Sequence, residues 1–149
     1  MLVRASRELL APRADVWGFV AEPFHLSDWW PGVQGVQPDR RGLAPGARWR
    51  LVAGGPASAS GPLSAFVRRP HAAGTLLVLE VREPELARLQ FVNERLDVEL
   101  RLEATAPDRT LATLVVEGSW LRVNRSLPRK ALSRLHALCQ TSASRDAEV

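Results

Sequence analysis

Three histidines are the side chains in this sequence best suited to acid–base chemistry, and they lie far apart along the chain, at His25, His71 and His136. His25 precedes Asp28 by three residues, a spacing that would allow a hydrogen-bonded acid–base pair on a helix. An exposed helix with polar residues at its end explains the same spacing, and we prefer that interpretation. The histidine spacings match no metal-binding motif, so we predict no metal site.

His71 and His136 remain as candidates for a catalytic role. His71 follows Arg68 and Arg69, whose guanidinium groups could hold a ligand carboxylate while the imidazole donates a proton. A solvated loop tip is the interpretation we prefer for His71. His136 lies at the flank of an apolar helix stripe, where bonding to backbone or water is the simpler interpretation. No phosphate-binding loop or dinucleotide motif is present, so we predict no cofactor.

Cys139 is the only cysteine, which excludes an intrachain disulfide and a zinc site built from cysteines. Its apolar helical surroundings favour a buried, unreactive thiol over a nucleophile. Tyrosine is absent from the sequence, so no catalytic phenol is available.

The basic excess is carried almost entirely by arginine: the net charge is +4, and Lys130 is the one lysine among 20 basic residues. The arginines are interleaved with glutamates and form no basic cluster of about 5–8 residues, so we predict no nucleic-acid partner. No apolar run approaches the ~20 residues that span a bilayer, and the first residues carry charges where a signal peptide is apolar. We therefore predict a cytoplasmic protein without stable membrane insertion, either monomer or homodimer.

The hydrophobic patterns predict a strand, two short helices, a run of antiparallel strands and one long helix. The clearest strand is 96–104, where Leu96, Val98, Leu100 and Leu102 alternate with charged residues. The predicted ranges are strand 2–9, helices 12–21 and 24–30, strands 33–37, 47–52, 75–82, 88–93, 96–104 and 110–120, and a helix from about 126 to 142. A further strand is possible at 63–69, within the poorly patterned segment 54–74. Together these make one domain, 1–142, with a flexible tail, 143–149.

This order predicts an α+β fold in which the long C-terminal helix covers a curved six- to seven-stranded sheet. One helix, about 10 Å across, cannot fill the concave face of such a sheet, so either side chains close the space or a cavity remains between them. Its lining is almost entirely apolar, which favours a hydrophobic ligand. The predicted ligand-binding residues are Trp30, Trp49, Leu77, Leu79, Phe91, Val98, Leu100, Leu114, Val116, Trp120, Leu135 and Cys139.

Polar groups near the ends of the inward faces could orient such a ligand. Asn93, Glu117 and Arg122 are the candidates, although exposure is the simpler expectation for all three. Trp30 is expected to pack under the sheet edge. Trp29 is expected to be partly exposed, where it could clamp an aromatic ligand or form a docking patch for another protein.

Four segments in register resemble the helix-grip superfamily of START domains, birch-pollen-allergen-like proteins and polyketide cyclase/dehydrase-like proteins, also called SRPBCC. Residues 11–17 (APRADVW) resemble the entry to that family's first helix, and 28–33 (DWWPGV) the end of its second. Residues 45–49 (PGARW) resemble the start of its third strand, and 81–91 the "v-x-e-x-x-P" segment with the strand that follows. The match runs over roughly residues 2–140.

The resemblance implies a fold with several functions, and we keep three hypotheses. The first is a non-catalytic carrier or sensor of a lipid-like or polyketide-like molecule. The second is a cyclase/dehydrase-like enzyme that acts in the same cavity without metal or nucleotide. The third is a co-chaperone-like interaction module, with a filled core and an exposed apolar patch near Trp29.

Overall fold

All seven described strands belong to one antiparallel sheet, in the order β1-β7-β6-β5-β4-β3-β2. A computed structural model of the chain describes residues 1–53, 74–119 and 123–147. The strands are β1 Leu2–Leu9, β2 Val33–Pro38, β3 Arg48–Ala53, β4 Gly74–Arg82, β5 Leu86–Phe91, β6 Leu96–Ala106 and β7 Arg109–Glu117. The helices are α1 Arg13–Ala21, α2 Leu26–Trp29 and α3 Leu127–Ala147, with a single 3-10 turn, Pro23–His25, between α1 and α2.

The two short helices carry the chain from one edge of the sheet to the other. After β1, the chain passes through α1 and α2 to β2 at the far edge, and β2 to β7 then return strand by strand to lie beside β1. Register shifts at Val33/Gly35, Val78/Glu80 and Ala104/Ala106 interrupt the ladders, and such irregularities bend a sheet. The predicted α+β helix-grip fold is confirmed, with seven strands.

The inner face of the sheet is apolar because the strands alternate in phase across the ladders. Val98 pairs with Leu89 on one side and Val116 on the other, and Leu100 pairs with Ala87 and Leu114. All six side chains are buried. Cross-strand partners share a face, so this register places one continuous apolar surface under the helices.

β4 shows where the sequence pattern was misread. The prediction placed Leu77 and Leu79 inward, but Leu76 and Val78 are the buried residues, and Leu79 is 41% exposed. Residues 76–79 are four consecutive apolar residues, so the sequence offers no alternation from which to choose the inner pair. After the register shift between Val78 and Glu80, Val81 packs against the core.

α3 packs mainly on β1, β7 and α2. Its buried stripe includes Ala131, Leu132 and Leu135, and on the β1 side Arg7 Nη1 donates a hydrogen bond to Ser133 Oγ at 3.1 Å. The helix continues to Ala147, five residues past the predicted end at 142. None of the helices in the described residues is long and apolar enough to cross a membrane.

Candidate functional site

The predicted lining of the interior cavity is largely buried. Eight of the twelve proposed ligand-binding residues have exposed fractions of 2% or less: Trp30, Trp49, Phe91, Val98, Leu100, Leu114, Val116 and Leu135. Cys139 is partly buried against the core. Leu77 and Leu79 lie outside this set, as described above, and Trp120 lies outside the described residues.

These eight side chains pack against other protein atoms in this structure. A side chain exposed by 2% or less has no room for a ligand against it as it stands. The apolar character of the predicted lining is present, but a molecule could enter it only by displacing side chains. The apolar residues that are only partly buried against this core include Phe19, Leu138 and Cys139.

Two tryptophans and Phe91 form an aromatic cluster between α2 and the sheet. Trp30 stacks on Phe91 with ring centroids 4.8 Å apart and an interplanar angle of 22°. Trp29 meets Trp30 edge-on, at 5.7 Å and 88°. The expectation that Trp29 is partly exposed is wrong, since it is 2% exposed, and the exposed aromatic of this segment is Phe24 at 62%. A docking patch around Trp29 is therefore not available.

The indole N–H groups of Trp29 and Trp49 have different surroundings. Trp49 Nε1 donates to the carbonyl oxygen of Gly42 at 3.1 Å. Trp29 Nε1 is buried and has no hydrogen-bond partner among the described residues. A buried donor without a partner costs about 1–3 kcal/mol, so it is a rare feature that calls for a reason. Apart from the Trp29-Trp30 pair itself, no sequence pattern indicates this unpartnered donor.

Of the three histidines, the structure describes His25 and His136, which lie on different elements. His25 stacks on Phe19, with centroids 4.1 Å apart, and its Nδ1 donates to the Phe19 carbonyl oxygen at 2.8 Å. The ring is therefore held by α1 rather than by Asp28. His136 is partly buried on α3, and His71 lies outside the described residues.

The thiol of Cys139 fits an unreactive role. Burial raises the pKa of the Cys139 thiol, and the negative charge of Asp15 raises it further. A raised pKa leaves less thiolate at neutral pH, and the thiolate is the reactive form. The described residues contain no cluster of three His, Cys, Asp or Glu side chains able to hold a metal.

An open polar groove lies on the outer face of the sheet, where the sequence analysis predicted no site. Its volume is about 620 Å³, and its lining includes Gln37, Asp39, Arg48, Arg50, Thr75 and Asn93. A second open depression, with a volume of about 430 Å³, lies along α3 beside Arg129, Lys130 and Arg134. Asn93 and Glu117 are both exposed, as expected, and Arg122 lies outside the described residues.

The carboxylate of Asp39 organises one end of the outer groove. Its two oxygens accept hydrogen bonds from the backbone N–H groups of Arg48, at 2.9 Å, and Arg41, at 3.1 Å. The Arg48 N–H is the largest cause of a lowered pKa for this carboxyl, and the Arg41 N–H and guanidinium charge lower it further. The Asp39 carboxylate therefore stabilises the turn between β2 and β3 through these hydrogen bonds.

Comparison with known proteins finds similarity in fold but not in sequence family. No protein-family model matches the chain, and no curated protein matches it. Among solved structures, a protein from Nitrosospira multiformis is 19% identical with a TM-score of 0.68, covering 97% of this chain and 99% of its own. An uncharacterised protein from Bacillus thuringiensis is 13% identical with a TM-score of 0.66, covering 94% and 99%. Protein NE0264 from Nitrosomonas europaea is 16% identical with a TM-score of 0.63, covering 95% and 96%. Identities this low support the fold alone.

Proposed function

We propose that this chain binds a hydrophobic small molecule that carries a hydrogen-bond acceptor, in the interior between the sheet and the helices α2 and α3. The observation that carries the proposal is the buried indole N–H of Trp29, which has no acceptor among the described residues. A ligand oxygen at this position would recover the roughly 1–3 kcal/mol that an unpartnered donor costs. The apolar inner face would supply the remaining affinity, at roughly 25 cal/mol per Å² removed from water.

The packed interior limits the affinity of such a complex. Because the lining side chains contact one another, a ligand must first shift some of them, and that cost weakens the observed binding. Moving the partly buried Phe19, Leu138 or Cys139 would disrupt less packing than moving a fully buried side chain. We therefore expect dissociation constants of about micromolar order.

Membership of the SRPBCC superfamily is part of this proposal. The helix-grip fold and the four sequence segments described above support it, and the superfamily includes ligand carriers. A cytoplasmic location belongs to the same proposal, as does a monomeric or homodimeric state.

Displacement of an uncharged dye tests the proposal. Nile red is bound to the full-length protein and displaced by either hexanophenone or hexylbenzene, two ligands of similar shape of which only the ketone accepts a hydrogen bond. The ketone is expected to bind about tenfold more tightly, which corresponds to about 1.4 kcal/mol. The absence of saturable dye binding would overturn the proposal.

Two matched variants test the role of Trp29. Trp29→Phe removes the indole N–H and is expected to abolish the preference for the ketone. Trp49→Phe removes an indole of the same size whose N–H is already bonded to Gly42, so it is expected to keep the preference. A preference that survives Trp29→Phe would show that another group donates the hydrogen bond to the ketone.

The enzymatic alternative depends on a proton donor inside the same interior. His136 is only partly buried and His71 lies outside the described residues, so no described feature favours catalysis over binding. Native mass spectrometry of freshly purified protein would identify a retained molecule, and incubation of that molecule with the protein would reveal a reaction if one occurs.

A further inference from the structure

We propose that the outer groove between β2, β3 and β4 binds a small molecule through a phosphate or carboxylate group, held by Arg48 and Arg50. This site lies on the opposite face of the sheet from the apolar interior. Arg50 pairs across the ladders with Gln37 and Thr75, whereas the alternate residues Trp49 and Leu51 face the core. The two sites are therefore separated by the sheet itself.

The placement of the two arginines suits an oxyanion. Arg48 and Arg50 are two residues apart on one strand, so their Cα atoms are about 7 Å apart and their side chains leave the same face. Both are exposed, and both line the groove. Guanidinium groups bind carboxylate and phosphate oxygens through paired N–H donors, which gives both affinity and orientation.

The charges around the groove favour an anion. Within the described residues, the ion pairs include neither Arg48 nor Arg50. Asp39, the acidic residue of the lining, is held by two backbone N–H groups and lies 3.9 Å from Arg41 Nε. The chain between Ala53 and Gly74 contains no Asp or Glu that could pair with them.

Neutral donors complete the site at its other end. The Asn93 Oδ1 accepts a hydrogen bond from the Thr75 backbone N–H at 3.1 Å, which leaves the amide Nδ2 of Asn93 as a donor. Gly74 has a φ of 106°, and a Cβ at this position would overlap the Asn93 side chain. Glycine at 74 therefore allows Asn93 to lie against β4 and form the wall of the groove.

Phosphate titration of the full-length protein, followed by amide and arginine side-chain NMR signals at constant ionic strength, tests the proposal. The expected result is saturable binding with shifts confined to β2, β3, β4 and Asn93. A parallel titration with malonate distinguishes a phosphate site from a carboxylate site. Shifts centred on Arg129, Lys130 and Arg134, or no saturation, would overturn the proposal.

Substitutions at three exposed arginines provide the matched comparison. Arg50→Gln and Arg48→Gln are each expected to weaken phosphate binding about tenfold, about 1.4 kcal/mol. Arg88→Gln, on the same outer face but paired with Glu80, is expected to leave binding unchanged. Equal weakening by all three variants would indicate a general charge effect and contradict a built site.

Discussion

Trp29 and Trp49 are both fully enclosed, yet the structure uses their indole N–H groups differently. At the β2–β3 corner, Trp49 donates to Gly42, and the neighbouring carboxylate of Asp39 fastens the same turn. At the α2 end, Trp29 is packed against Trp30 and its N–H has no partner among the described residues. The N–H of Trp49 therefore serves the fold, whereas the N–H of Trp29 is a hydrogen-bond donor that the described part of the fold does not use.

The largest effect is expected for Trp49→Phe. This change removes core volume and leaves the Gly42 carbonyl without its donor, so we expect a loss of about 2 kcal/mol in the free energy of unfolding. Urea unfolding followed by far-UV circular dichroism measures it, since that signal does not depend on the replaced indole. A loss no larger than that caused by Trp29→Phe would contradict the different roles of the two indole N–H groups.

Trp29→Phe is expected to cost about 1 kcal/mol or less. The volume lost is the same, but the variant also removes a buried donor whose desolvation is uncompensated, and the two effects oppose each other. The same unfolding experiment applies, and the difference between the two variants is the informative quantity. Equal losses would mean that the Trp29 N–H finds an acceptor in solution.

Asp39→Asn tests whether the β2–β3 corner is held by charge. Because the folded-state pKa of Asp39 is lowered, its carboxylate stabilises the fold above its ordinary pKa of 3.8, and this contribution is lost as pH falls through the lowered value. The variant should be less stable than the parent at neutral pH, by less than either tryptophan change. Urea unfolding from neutral to acidic pH should show the gap closing, and a constant gap would contradict the assignment.

The smallest effect concerns Cys139, which lies on α3 at the edge of the interior. Its raised pKa should make alkylation by iodoacetamide at neutral pH slower than that of free cysteine. Asp15→Asn removes a nearby negative charge and should speed the reaction by a small factor, about twofold. A fast reaction in the parent protein would show that this edge of the core is open.

Much of the fold could be predicted from the sequence because period-two alternation is explicit in β6, where Leu96 to Leu102 alternate with charged residues. β4 could not be assigned in the same way, since Leu76 to Leu79 carry no alternation and the register shift after Val78 has no sequence signal. The end of α3 was placed too early because residues 143–147 are mostly small or polar, although the helix continues through them.

The candidate sites were harder to predict than the fold. The apolar lining could be predicted from strand alternation. Whether a space remains between these side chains depends on how their volumes pack together, which the sequence pattern does not indicate. The unpartnered N–H of Trp29 depends on the orientation of one ring. The charge of the outer groove depends on which arginines form ion pairs with glutamates on neighbouring strands. Arg88 pairs with Glu80, whereas Arg50 forms no ion pair within the described residues.

The indole N–H signal of Trp29 in a heteronuclear NMR spectrum reports whether this group donates a hydrogen bond to a bound ligand. Trp29→Phe assigns the signal, and hexanophenone and hexylbenzene are then added in turn to the parent protein. We expect the ketone to move this signal downfield, as a new hydrogen bond requires, and the hydrocarbon to leave it in place. A Trp29 signal that responds equally to both molecules, or to neither while other core signals shift, would contradict it.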